Sequence, residues 1–155
     1  MEALLAAVRQ TGLPATRQFP SLPMPRVTRA AVAVGLQEVQ GESSGFGDYL
    51  GIFADEKGNP VERYGKRITA RCLCRIFAPD GSSALTAVET LGSLVMGQVS
   101  GLRPHGFTVG PCAYDRDTDC YTQDVVLSLS AYYRAEVPAG DDPTFRDFRL
   151  ECEST

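Results

Sequence analysis

The ten residues from Ile68 to Phe77 hold this chain to a strand with two unlike faces. Ile68, Ala70, Cys72, Cys74 and Ile76 alternate with Thr69, Arg71, Leu73, Arg75 and Phe77, and a period of two sends each set to its own side of a sheet. Downstream, the chain reads as helix, strand, strand. Asp80-Gly81-Ser82-Ser83 supplies a turn and a candidate N-cap, with a serine oxygen accepting from the unpaired N–H groups of the first turn. Leu85, Val88, Leu91, Val95 and Val99 recur at three- or four-residue spacing, one apolar stripe, and Gly101 with Pro104 is the expected stop. Gly92 and Gly97 each cost ~1 kcal/mol against alanine. Burial at ~1.5–3 kcal/mol per stripe side chain outweighs that, so the helix should lie on the sheet.

Two more strands are expected, Phe107–Tyr114 and Tyr121–Tyr133, joined by the polar turn Asp115–Asp119. In the second, Val125, Leu127, Leu129 and Ala131 share one face while Ser128, Ser130 and Tyr132 share the other. That contrast predicts a sheet covered on one side only.

Upstream, residues 2–11 suit a short helix with Leu4, Leu5 and Val8 on one side, ended by Gly12 and Pro14. Alternatively it is helical only when docked, since ~10 residues are too few to hold a helix alone. Pro14, Pro20, Pro23 and Pro25 make the next stretch an extended surface connection. From Val27 to Val39 a strand is expected, its small residues Ala31, Ala33 and Gly35 packing closely on a helix or another subunit. Gly41–Gly45 reads as a flexible insert, Tyr49–Phe53 as a strand and Lys57–Pro60 as a turn, so residues 47–77 suit a β-hairpin with a wide connection. After Pro138 come an acidic stretch and then Phe145, Phe148 and Leu150, which need a partner in the domain's own sheet edge or in a neighbouring chain.

The expected architecture is α+β: a mainly antiparallel sheet with one long helix packed on one face and a short N-terminal helix. It is one domain over residues 1–155, with an N-terminal helix and Pro-rich arm at 1–25 and a C-terminal tail at 138–155. At 155 residues, 43% hydrophobic and 22% charged, the chain can build a core without metal or disulfide staples. A net charge of −4 argues against a general nucleic-acid binder, which clusters Lys and Arg. No apolar run approaches the ~20 residues that span a bilayer, and Met1-Glu2 opens without a basic leader, so a cytosolic protein is expected. Five cysteines are an odd number, no C-x-x-C occurs, and His105 is the sole histidine. They read as buried free thiols, and neither a metal nor another cofactor is expected.

Four groups of residues could carry function. Asp115, Asp117 and Asp119 invite a calcium reading, but the sixth and twelfth positions hold Cys120 and Val126 where an EF-hand needs Gly and Glu. They suit a solvated hairpin tip or a contact surface. His105 would act as a general base only beside Cys112 or a serine, and no nucleophile motif surrounds it. The glycines of Gly41–Gly51 lack the lysine of a phosphate-binding loop. They suit a mobile loop carrying Phe46 and Tyr49 to a neighbouring subunit, or else an ordinary connection. Arg63, Lys66, Arg67, Arg71 and Arg75 are the basic concentration. Arg71 and Arg75, on one strand face, would set register in an assembly through acids of a neighbouring strand or subunit, or remain a solvated face.

This layout resembles the tail-terminator and related head–tail joining proteins of tailed phages and prophages. The N-terminal helix with its Pro-rich exit, the strand Ile68–Phe77, the turn and helix from Ala78 to Gly101 and the hairpin Phe107–Tyr133 carry the likeness, as architecture and not as a motif. The resemblance implies a structural protein without catalytic residues. Its copies would form a ring, commonly a hexamer in that family, that caps the tail tube and joins it to the head. Its partners would be itself, the tail-tube protein and a connector protein, with neither membrane nor specific nucleic acid. It would be assembled in the host cytoplasm and carried in the virion tail. A tail-tube or connector subunit is the alternative within that class, and a small ligand-binding or enzymatic domain is the alternative outside it.

Overall fold

Two nineteen-residue strands form the spine of the fold, and their pairing is uninterrupted from Val61 opposite Pro138 to Ala78 opposite Tyr121. The computed structural model describes residues 1–17, 19, 26–44, 46–97 and 102–138. The elements run α1 (Glu2–Gln10), β1 (Ala15–Thr16), β2 (Ala31–Ser43), β3 (Tyr49–Ala54), β4 (Pro60–Ala78), α2 (Gly81–Met96), β5 (Arg103–Asp115) and β6 (Cys120–Pro138). They build one six-stranded sheet in the order β1-β2-β4-β6-β5, with β3 also pairing β4. All pairings are antiparallel except the two-residue contact of β1 with β2. The α+β architecture is therefore as expected.

β2 and β3 share one flank of β4. β2 covers Lys66–Phe77, and β3 covers Pro60–Tyr64. Between them a short 3-10 turn, Phe46–Asp48, makes the jog, with Gly47 at φ 60° and Asp48 at φ 66°. The β4–α2–β5 path carries the chain across β6, which then fills the gap between its parallel neighbours β4 and β5.

Both helices lie on one face. Leu4, Leu5 and Val8 of α1 and Ala84, Ala87, Val88 and Leu91 of α2 pack with Val32, Val34, Cys72, Cys74, Ile76, Val125, Leu127 and Leu129. On the other face the described residues form a small buried cluster of Ala33, Phe77 and Cys120, with Val27 against it. The expected alternation of Ile68–Phe77 is thus realised, with Cys72, Cys74 and Ile76 of its even-numbered set in the core beneath the helices.

Several boundaries differ from the sequence expectation. α2 ends at Met96, and Val99 and Gly101 lie outside the described residues. Its buried stripe is turned by about one residue. Ala84 and Ala87 face the core, while Leu85 points out at 57% exposure. The small alanines win because the helix sits close on the sheet, where a methyl fits and a leucine does not. The cap is Asp80, not a serine, its Oδ1 accepting from the Ser83 backbone N–H at 2.8 Å. β2 runs on through Gly41-Glu42-Ser43, so those residues are strand and not insert. β4 begins at Pro60, well before Ile68. Cys112 is exposed, whereas Cys72, Cys74 and Cys120 are buried. Cys152 and the Phe145, Phe148 and Leu150 tail lie outside the described residues, as does most of the Pro-rich arm. Phe19, which is described, explains the small face of β2: a Cβ on Gly35 would stand 2.7 Å from its ring.

The Asp80 cap carries a pH signature. Hydrogen bonds from the Ser83 backbone and side chain hold its carboxyl below the usual 3.8. A depressed folded-state pKa gives stability that is complete above the unfolded value and lost as pH falls through the folded one. Asp80→Asn, which keeps a capping oxygen but loses the charge, should therefore destabilise the protein slightly at pH 6 and lose that difference as pH falls below 3.8. Melting temperatures of both proteins across an acid series measure this.

Candidate functional site

The face of the sheet away from the helices carries four arginines of β4 at every fourth position, Arg63, Arg67, Arg71 and Arg75. Each has an acid on an adjacent strand. Arg63 Nε meets Glu136 of β6 at 2.6 Å, and Arg71 meets Glu38 of β2 at 3.7 Å. Arg75 binds Asp124 of β6 through two hydrogen bonds, at 2.6 and 2.8 Å, with the Phe19 ring 5.7 Å from its guanidinium. Arg67 stands in register with Glu42 on one side and Tyr132 on the other. Thr69, Ser128 and Ser130 fill the same face between them. Arg71 and Arg75 therefore pair with acids of this chain's own strands. Half-exposed pairs of this kind contribute about 0–1 kcal/mol each, so their main effect is register and a neutralised surface.

The other expected residues fall at opposite ends of the spine. Tyr49 is exposed on β3 and meets Tyr64 edge to face, ring centroids 5.4 Å apart. Beside it Lys66 Nζ binds Asp48 Oδ2 at 2.8 Å, and hydrogen bonds from Lys66 and Ser43 hold the Asp48 carboxyl below its ordinary value. Phe46 opens the 3-10 turn, and its side chain lies outside the described residues. Asp115, Asp117 and Asp119 sit at the β5–β6 tip, about 50 Å away along β6 at ~3.3 Å per residue.

That tip is braced from within. Asp115 Oδ1 accepts from the Asp117 N–H, and Asp115 Oδ2 accepts from the Thr118 hydroxyl. Tyr114 donates to Asp119 Oδ1 at 2.5 Å, which raises its phenol pKa, and its ring meets Tyr121 edge to face. The carboxylates of Asp115 and Asp119 thus brace the turn, to which Asp117 gives its backbone N–H. Among the described residues no group of three His, Cys, Asp or Glu side chains could hold a metal ion.

His105 is not in a loop. It lies in β5, at the irregularity between Pro104 and Gly106. Cys112 is seven residues further along the same strand, roughly 20 Å away at ~3.3 Å per residue, so the two do not meet. Burial pushes the Cys74 thiol up to about 12, far from a nucleophile's range.

Sequence reasoning missed the two edges of the sheet. Among the described residues β2 has an outer partner only at Val32 and Ala33, where β1 pairs, and β5 has none. Besides Tyr114 near the β5 tip, four large apolar side chains stand exposed along these edges: Leu36 (54%) and Val39 (52%) on β2, Phe107 (43%) and Val109 (39%) on β5. Their β4 and β6 register partners, Cys72, Ala70, Leu127 and Val125, place all four on the helix-bearing side. A signal existed, since Leu36 continues the period of Val32 and Val34, but nothing in the sequence said that β2 would be an edge.

No helix among the described residues is long and apolar enough to cross a membrane. No family model matches the chain, and no curated protein matches it.

Proposed function

We propose that this chain is a structural subunit that closes into a ring, as in the phage tail-terminator and head–tail joining proteins that its layout resembles, where such a ring caps the tail tube and receives the head. The observation that carries this reading is the direction of the two open edges. β2, β4, β6 and β5 alternate, so the first and last strands run oppositely. Rotation about an axis parallel to the strands brings β2 of one copy beside β5 of the next as antiparallel neighbours, with the helices of both on the same side. An odd number of alternating strands would offer a parallel junction instead.

The faces fit the same reading. With the helices outward, the arginine row lines the passage with Arg63, Arg71 and Arg75 paired and Arg67 in register with Glu42. A neutralised wall gives a passing polyanion little to hold. A tail-tube or connector subunit would use the same edges, and the mass of the assembly separates these cases. Light scattering on the purified protein at high concentration should give one discrete mass, a small multiple of the chain's. Added to growing tail tubes, that species should stop elongation. Open-ended polymers would point to a tube subunit, and a monomer at every concentration would remove the ring.

A further inference from the structure

The two open edges match residue by residue. β2 carries one extra residue, Gln37, between Leu36 opposite Cys72 and Glu38 opposite Arg71. β5 carries one, His105, between Pro104 opposite Leu129 and Gly106 opposite Ser128. Arg71 pairs Ser128 and Ala70 pairs Leu129, so the two irregularities flank the level of Arg71, one residue step apart. The level of Leu36 is therefore that of Phe107, and the level of Gln40 is that of Arg103.

We infer that β2 of one copy pairs antiparallel with β5 of the next, from Val34 beside Val109 to Gln40 beside Arg103. This rests on the ring reading, because a rotation about an axis along the strands has no translation and joins edges at equal level. In that register the two extra residues cancel. Gln37 meets Gly106 and Glu38 meets His105, and the pairing runs from end to end without a bulge.

The chemistry agrees with the geometry. On the helix side, Leu36 comes beside Phe107 of the next copy, Val34 beside Val109 and Val39 beside Pro104, which brings the four exposed apolar edge residues together. On the opposite face, the acids Glu38 and Glu42 come beside the basic end of β5 at Arg103 and His105, and no acid lies opposite an acid. The edges also differ as partners should. β5 is interrupted by Pro104, Pro111 and two irregularities, which blunt it against chance pairing. β2 beyond Ala33 has no proline and a single irregularity, the profile of an edge that needs cover. Pro104 withholds one N–H from the junction. Of the other β5 positions, alternate ones turn their N–H outward to the junction and the rest face β6.

Cysteines placed across the junction test the register. In a Cys112→Ser, Cys152→Ser background, Leu36→Cys with Phe107→Cys sets two thiols at directly opposed positions, where Cα separations of about 4.5–5.5 Å permit a disulfide. Mild oxidation should convert the oligomer into a ladder of covalently linked chains. The offset pair Leu36→Cys with Val109→Cys should link at least tenfold more slowly. Glu38→Lys should lower the oligomeric fraction, and Glu38→Lys with His105→Glu should restore it. These positions are exposed, so an unchanged melting curve confirms that the fold survives. If the unsubstituted protein is oligomeric but the offset pair links as fast, or neither pair links, the edge register is overturned while the ring stands. If the unsubstituted protein is monomeric at every concentration, both fall.

Discussion

Replacing Leu91 by alanine should lower the unfolding free energy by about 3 kcal/mol, while the same change at Leu85 should alter it by less than about 0.5 kcal/mol. Both leucines stand in the same apolar stripe when α2 is read from sequence. In the fold Leu91 is fully buried against the sheet and Leu85 is mostly exposed. Removing the Leu91 side chain subtracts its transfer energy and leaves a cavity beneath a helix that cannot move closer, because Ala84 and Ala87 already sit on the sheet. Removing Leu85 takes a side chain out of water and slightly favours the helix. For a domain of this size the first change corresponds to a fall of roughly 10 °C in melting temperature. Denaturant titration of the two variants measures the contrast directly, and equal losses would mean that the helix is turned the other way.

That pair of leucines shows where the sequence was legible and where it stopped. The type and order of the long elements could be read because β4, α2 and β6 each repeat their pattern over several turns or pairs. The phase of α2 could not be read from large apolar residues alone. Alanine is weakly hydrophobic in a stripe count, yet at a close helix–sheet contact it is what the space admits. Strand ends were hidden for a related reason. Gly41-Glu42-Ser43 has turn composition, but β4 continues opposite it and supplies hydrogen-bond partners that hold it extended.

The candidate surface was legible in part. The basic run of β4 was visible, as was the shared face of Arg71 and Arg75. Their partners Glu38 and Asp124 come from strands distant in sequence on either side, so only the register reveals the pairs. The edges needed still more. Exposure of Leu36, Val39, Phe107 and Val109 depends on the strand order β2-β4-β6-β5, which follows from the placement of β6 between β4 and β5 and not from any local pattern. The acids at Asp115–Asp119 drew notice through composition, and the structure uses the carboxylates of Asp115 and Asp119 to brace their own turn.

Gly65→Val should cost about 1–3 kcal/mol, and the loss should be concentrated at one end of the molecule. Gly65 is buried in β4 opposite Arg134, where β3 gives way to β2 along the flank. A Cβ there would stand 2.8 Å from Leu50 Cδ1 and 3.2 Å from the Tyr133 carbonyl oxygen. Leu50 can turn aside. The carbonyl belongs to the paired β6 backbone and cannot, so a β-branched side chain must push β3 and the Tyr49–Tyr64 contact away from the spine. The helices cover the other end of the sheet, and the main core holds no residue of β3. Opening should therefore remain local: hydrogen exchange in Tyr49–Ala54 and Pro60–Tyr64 should accelerate by tenfold or more, while amides around Cys74 and Val125 keep their protection. Uniform loss of protection would show that this end folds as one unit with the core. If copies join through the β2 and β5 edges, the variant's oligomeric fraction should stay unchanged, because Val34 to Gln40 and Arg103 to Val109 lie outside the disturbed region.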